Sequence, residues 1–182
     1  ANRLNAHLSA VFSVSEDLVG IGPLVDAEGK PTAEARNRLC MFLTNISQDT
    51  VPRGSGARGS LSREQAPPVH LDIYFMLASG HDPEIYSEGV KLISAALMYF
   101  QANPVMTPRT APEMPSGLSQ LSIEISNLRV EEIGQLWGNL GGRYTPSVMF
   151  KMRSVMIDAG AITSITPLVR GPATSATAAE AG

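Results

Sequence analysis

Apolar positions along this chain recur at two periods, and the switches between them lay out its elements. Leu4, Leu8, Val11, Phe12 and Leu18 recur at helical spacing. Residues 3–19 are therefore predicted as a helix with one buried stripe, stopped by Gly20, Gly22 and Pro23. Residues 24–37 are polar and loop-like. Residues 39–46 are nearly continuous apolar sequence between polar flanks, the pattern of a buried strand. Residues 48–68 are rich in Gly, Ser, Pro and Arg and are predicted as one long loop. Loops of that length in a compact domain are usually functional or disordered. From Val69 the period becomes two. Val69, Leu71, Ile73, Phe75 and Leu77 share one face of a strand, and His70, Asp72, Tyr74 and Met76 share the other.

Asp82-Pro83-Glu84 carries the signals of a helix start: a capping carboxylate, a proline at the first position and an acid in the first turn. Ile85, Gly89, Leu92, Ile93, Ala96, Leu97 and Phe100 form the buried face of this helix, which is predicted to end before Asn103-Pro104. Four prolines make residues 104–118 irregular. Residues 120–126 alternate again, with Leu121, Ile123 and Ile125 on one side. A helix over residues 130–140 turns Ile133, Leu136, Trp137 and Leu140 inward, and Gly141-Gly142 stops it. The last long strand spans residues 146–157. Val148, Phe150, Met152 and Met156 lie on one face; Met149, Lys151, Arg153, Val155 and Ile157 lie on the other. Asp158-Ala159-Gly160 can turn the chain back into a hairpin strand over residues 161–166, which carries Ile162 and Ile165. The reading is one α+β domain over residues 1–166, a mixed and mostly antiparallel sheet with about three packed helices. Residues 167–182, dominated by Ala, Thr, Ser and Gly, are expected to be a disordered tail.

Composition narrows the function. The chain has 182 residues, 43% hydrophobic and 17% charged, with a net charge of -3. That balance gives no general attraction to nucleic acid or anionic lipid. No apolar run approaches the roughly 20 residues that span a bilayer, and the first residues lack the apolar core of a signal peptide. A soluble protein made inside the cell is expected. Cys40 is the only cysteine, which rules out an intrachain disulfide, and with three histidines it offers no zinc-like cluster. No cofactor is expected.

Candidate chemistry is sparse. His70 and Asp72 share a strand face two residues apart, as a carboxylate and the imidazole it orients would. A solvated sheet face is much the better reading, because no third member in a motif-like context and no Gly-x-Ser-x-Gly elbow accompanies them. Gly54-Ser55-Gly56-Ala57-Arg58-Gly59 lacks the Gly-Lys-Ser/Thr of a phosphate loop. Glu131 and Glu132 suit the first turn of a helix without catalysis. Arg53, Arg58 and Arg63 make the long loop basic, either to meet an acidic partner or to solubilise it. Lys151 and Arg153 interrupt an apolar strand, which marks either an edge protected by charge or a surface that meets another subunit.

Four segments together carry a family resemblance. They are the N-terminal amphipathic helix; Pro67-Pro68 with the strand through Ala78; Tyr99-Phe100-Gln101-Ala102-Asn103-Pro104 running on to Pro108; and residues 121–157 with Leu136-Trp137, Leu140, Tyr144 and Ser147-Val148. In this order they resemble the tail-terminator, or cap, proteins of contractile injection systems, phage-tail-like particles in which a sheath surrounds an inner tube. The match covers most of residues 4–158. Residues 19–38 are longer than the family pattern, and nothing after Pro167 matches it. The resemblance implies a structural protein, not an enzyme. It would form a ring, a hexamer by expectation, at the end of the tube distal to the baseplate, ending polymerisation and anchoring the last sheath layer. Its partners would be itself, the sheath and the inner tube, assembled in the cytoplasm, with no nucleic acid and no membrane insertion. Arg53, Arg58, Arg63, Lys151, Arg153, Ile162 and Ile165 are the candidate interaction residues. A baseplate or adaptor component of the same particle, and a small hydrolase using His70, are the alternative readings.

Overall fold

A computed structural model describes residues 1–49, 69–115, 118, 120–141 and 143–157. Helix α1 (Asn2–Phe12) leads into a short strand β1 (Val19–Ile21), then β2 (Leu39–Gln48) and β3 (Val69–Ser79). One turn of 3-10 helix (Pro83–Ile85) opens α2 (Tyr86–Ala102). The chain continues through β4 (Val105–Met106), β5 (Leu121–Ile125), α3 (Val130–Asn139) and β6 (Ser147–Ile157). The six strands form one sheet in the order β1-β2-β3-β6-β5-β4. Every pairing is antiparallel except β1 with β2. The mixed, mostly antiparallel sheet with three helices is the class the sequence pattern implies.

One face of the sheet carries the main core. Leu77, Phe75, Phe150 and Ile123 point into it and pack under Leu4 and Leu8 of α1 and Leu92, Ile93, Ala96, Tyr99 and Phe100 of α2. The Phe75 and Phe150 rings stack at 5.3 Å between centroids, and Phe100 sits 4.6 Å from Phe150. Such aromatic pairs add to the stabilisation from burial alone. The other face carries a smaller cluster, in which Met76, Ala78 and Met149 lie under Trp137 of α3.

Several elements depart from the sequence reading. The first helix stops at Phe12, where Ser13 takes a left-handed conformation with φ 56°. Leu18 therefore lies outside the helix, and Val11 is exposed. Asn5 is the cause of the new strand: its Oδ1 accepts the N–H groups of Leu18 and Val19 at 2.8 Å, and its Nδ2 donates to the Val19 carbonyl. This clamp holds β1 against α1. Gly20 and Gly80 admit the connecting segment from below and above: a Cβ at Gly20 would stand 2.0 Å from the Glu34 carbonyl oxygen, and one at Gly80 1.8 Å from that of Ala35. Only glycine permits so close a backbone approach.

The Asp82 carboxylate makes no capping hydrogen bond, and Ile85 is exposed rather than buried. α3 instead is capped by Glu132, which accepts the Arg129 N–H at 2.9 Å. That bond, with the Arg129 guanidinium, holds the Glu132 carboxyl below its usual range. The loop carrying Arg53, Arg58 and Arg63, the hairpin strand with Ile162 and Ile165, and the tail lie outside the described residues.

Candidate assembly surface

β2 was expected to be buried throughout, and only its first part is. β1 pairs with Leu39, Cys40 and Met41 and then ends. Cys40 is fully buried and donates its thiol to the Gly22 carbonyl; burial pushes its pKa up to about 11, so it is an inert packing group. Beyond Met41 no described strand covers the outer side of β2. Leu43 is 57% exposed and Ile46 50%. A bulge at Thr44 places Leu43 opposite Phe75 and Ile46 opposite Ile73, so both side chains emerge on the face that carries α1 and α2. A groove of about 370 Å³ opens beside this edge, lined by Ile21, Pro23, Leu24, Phe42, Trp137 and Leu140 among others. Residues 39–48 contain no charge and no proline, the two commonest guards of an exposed edge.

β6, whose Lys151 and Arg153 the sequence left as either a charge-guarded edge or a surface that meets another subunit, is not an edge. It lies between β3 and β5 in the middle of the sheet. Lys151 reaches along the α3 side of the sheet to Asp72 on β3, Nζ to Oδ2 at 2.7 Å, with side chains only 16% and 8% exposed. It also lies 5.4 Å from the Tyr74 ring centroid. The hydrogen bond to Asp72 raises the Lys151 pKa, against the lowering effect of burial. Mid-strand charge here is internally matched rather than an edge guard. Arg153 pairs with Glu124 on β5 at 2.9 Å, and both are about half exposed. Together these groups form a polar, charge-balanced half of the sheet face, beyond the part that α3 covers.

This geometry also removes the catalytic pairing suggested by His70 and Asp72. Asp72 is held by Lys151, and the buried His70 Nδ1 has no hydrogen-bond partner among the described residues. Another imidazole, His81, lies 3.1 Å through Nδ1 from the buried Ser79 hydroxyl. Ser79 Oγ also accepts the His81 backbone N–H and stands where a Cβ on Gly89 would be, so it packs the α2 start against β3. It is a joint between elements. Among the described residues no three His, Cys, Asp or Glu side chains gather as a metal site, and no helix is long and apolar enough to cross a membrane.

The described residues thus make a three-helix, six-strand sheet domain with an open stretch of β2 and a charge-matched half-face. The chain belongs to the Pvc16 N-terminal domain family, whose model matches residues 1–171. Two solved structures share the fold. One is the sheath/tube terminator, in the extended state, of an extracellular contractile injection system, PVC; it is 15% identical, with a TM-score of 0.53 over 98% of this chain and 64% of that one. The other is the tube-terminating cap of the anti-feeding prophage, 16% identical, with a TM-score of 0.52 over 98% of this chain and 59% of that one. The chain thus spans about three fifths of the length of the structures it resembles. No curated protein sequence matches it.

Proposed function

We propose that this chain is a structural terminator of a contractile injection particle. It caps the tube and sheath at the end distal to the baseplate and works by binding, without turnover. The observation that carries this reading is the family match across residues 1–171. The shared fold of the two terminator caps supports it, and so does a domain whose distinctive surfaces are an open strand edge and a polar sheet face rather than a pocket with convergent reactive groups.

The chain acts as a ring, a hexamer by family resemblance, assembled with sheath and inner-tube subunits in the cytoplasm. Closed rotational symmetry lets subunits associate without unlimited growth. The half-face bearing Arg153 and Glu124 is a contact surface toward those partners. Lys151 contributes to it through Asp72 and Tyr74 rather than as a free charge. Arg53, Arg58 and Arg63 on the long loop, and Ile162 and Ile165 beyond β6, are further contact candidates.

The test is electron microscopy of particles carrying an epitope tag on this chain, beside particles from cells lacking it. The expected result is label at the end opposite the baseplate, and tubes of uncontrolled length when the chain is absent. Label at the baseplate end with unchanged tube length would assign the chain to a baseplate or adaptor role instead.

A further inference from the structure

The bare edge of β2 has a counterpart at the far end of the sheet. β4 covers β5 only at Leu121 and Ser122. The Ile123 N–H is met by the Pro104 carbonyl at 2.8 Å, and the Ser126 N–H turns the other way to Met149 on β6. By the alternation of an antiparallel ladder, the backbone groups of Ile125 face outward. No described residue pairs with them. Ile125 is 53% exposed, and Val105 on the adjoining β4 is exposed as well. A second groove, of about 270 Å³, lies beside it, lined mainly by Leu97, Phe100, Pro104, Ile123 and Phe150, with Gln101 and Glu124 also contributing.

The two edges match in three respects. Both expose β-branched or branched aliphatic side chains and ladder groups that no described residue meets. Both place those side chains on the same face of the sheet: Leu43 and Ile46 lie opposite core residues of β3, and Ile125 is in register with Phe150. Strand directions also agree. β2 runs antiparallel to β3, β3 to β6 and β6 to β5, so β2 and β5 point in opposite senses. If the sheet of one copy continued into the next, β2 would meet β5 antiparallel, and one apolar layer would run across the junction.

We infer that copies of this chain associate head to tail through these edges, with Leu43 and Ile46 on β2 of one copy seated against Ile125 and its groove on the next. The inference rests on the ring reading above and names its interface. A closed ring needs two different, complementary patches on every copy, and the two edges supply them at opposite ends of one sheet. The absence of charge across residues 39–48 selects an uncharged partner, and the β5 edge offers one, because Glu124 points to the other face, toward Arg153. The short free length of β5 makes side-chain docking, more than backbone pairing, the main source of affinity.

The experiment uses the purified full chain and particles assembled with it. Three variants are compared with wild type by native mass spectrometry and by cap occupancy in electron micrographs: Leu43→Lys with Ile46→Lys, Ile125→Lys, and Val130→Lys as a control at an 81% exposed site that belongs to neither strand edge. Thermal melts check that each is folded. Burying a lysine in either edge should weaken self-association on the order of 100-fold, while Val130→Lys stays at the wild-type level. The decisive sample is an equal mixture of the two edge variants. Each retains one intact patch, so the mixture should form a one-to-one heterodimer and stop there, whereas each variant alone stays monomeric. Full rings from folded edge variants, or no heterodimer from the mixture, would overturn the interface. So would a wild-type chain that stays monomeric both free and on particles. Rings that form as inferred but never occupy a tube end would leave the interface standing and sink the terminator reading.

Discussion

The two faces of the sheet are built on different terms. Under α1 and α2 the apolar layer is continuous from Leu39 across Phe75 and Phe150 to Ile123, and both helices lie on it. Under α3 the layer is a patch of Met76, Ala78, Met149 and Trp137, and it gives way along the same strands to Asp72, Lys151, Arg153 and Glu124. The first face holds the fold together. The second carries a smaller apolar cluster at α3 and matched charges along the rest of the strands. Register enforces the division, because residue parity on β3 and β6 commits each side chain to one face.

Mutations on matched positions of β6 test that contrast most strongly. Phe150→Ala should cost about 4 kcal/mol, whereas Met149→Ala on the opposite face should cost about 2 kcal/mol. Urea titration followed by circular dichroism measures both, and equal losses would erase the distinction between the faces. Next in size is Lys151→Ala, at about 3 kcal/mol, because it strands a buried Asp72 carboxylate. The double change Asp72→Leu with Lys151→Met should recover most of that loss. Charge reversal at Lys151 should therefore damage the fold itself, and only changes at Arg153 can test docking on a folded subunit.

Arg153→Ala removes a pair that is half exposed, so its stability cost should stay below about 1 kcal/mol. A fall in cap occupancy without a fall in melting temperature would mark the polar half-face as a contact surface. The smallest effect is expected at the joint between β3 and α2. Burial lowers the His81 pKa below its ordinary value, and nearby Glu88 and Asp82 oppose this only in part. The unfolded chain then takes up a proton at higher pH than the folded one. Stability should decline as pH falls below about 6.5 and level off under the lowered folded value. His81→Asn should remove that part of the slope in melts taken from pH 7 to pH 5. Lys151 titrates at the other extreme: its raised pKa keeps its contribution intact below about 10.4, and it is lost only as pH rises past the folded value.

The sequence carried the periodic elements well and the tertiary ones poorly. The faces of β3, those of β6 as far as Arg153, most of the stripe of α2 and the inward Trp137 follow from spacing alone, whereas the bulge between Met152 and Val155 reverses the predicted phase of β6 beyond it. β1 did not, because Leu18 falls in phase with Leu4 and Leu8 and so mimics a longer helix. What ends the helix is the left-handed Ser13 and the Asn5 clamp, a contact between residues 13 and 14 apart in sequence. Strand order is likewise long-range, so spacing could not decide whether Lys151 guards an edge or meets a subunit, and its partner proves to be Asp72, 79 positions away. The exposed end of β2 had one visible sign, the polar Thr44-Asn45 break in the apolar run. The alternation that normally reports exposure was hidden by the bulge, which puts Leu43 and Ile46 on one face at a spacing of three.

The position of β6 has a consequence for how the protein is made. It follows every other described strand in the chain, yet it fills the centre of the sheet. While the chain leaves the ribosome, β2 with β3 and β4 with β5 can form as two separate ribbons, each with an unsatisfied inner edge. Neither closes until residues 147–157 arrive to join them. Folding must then wait on contacts of high sequence separation, which slows it and prolongs the exposure of sticky strand edges. A chain cut before residue 147 would therefore have no joined sheet to offer a neighbour.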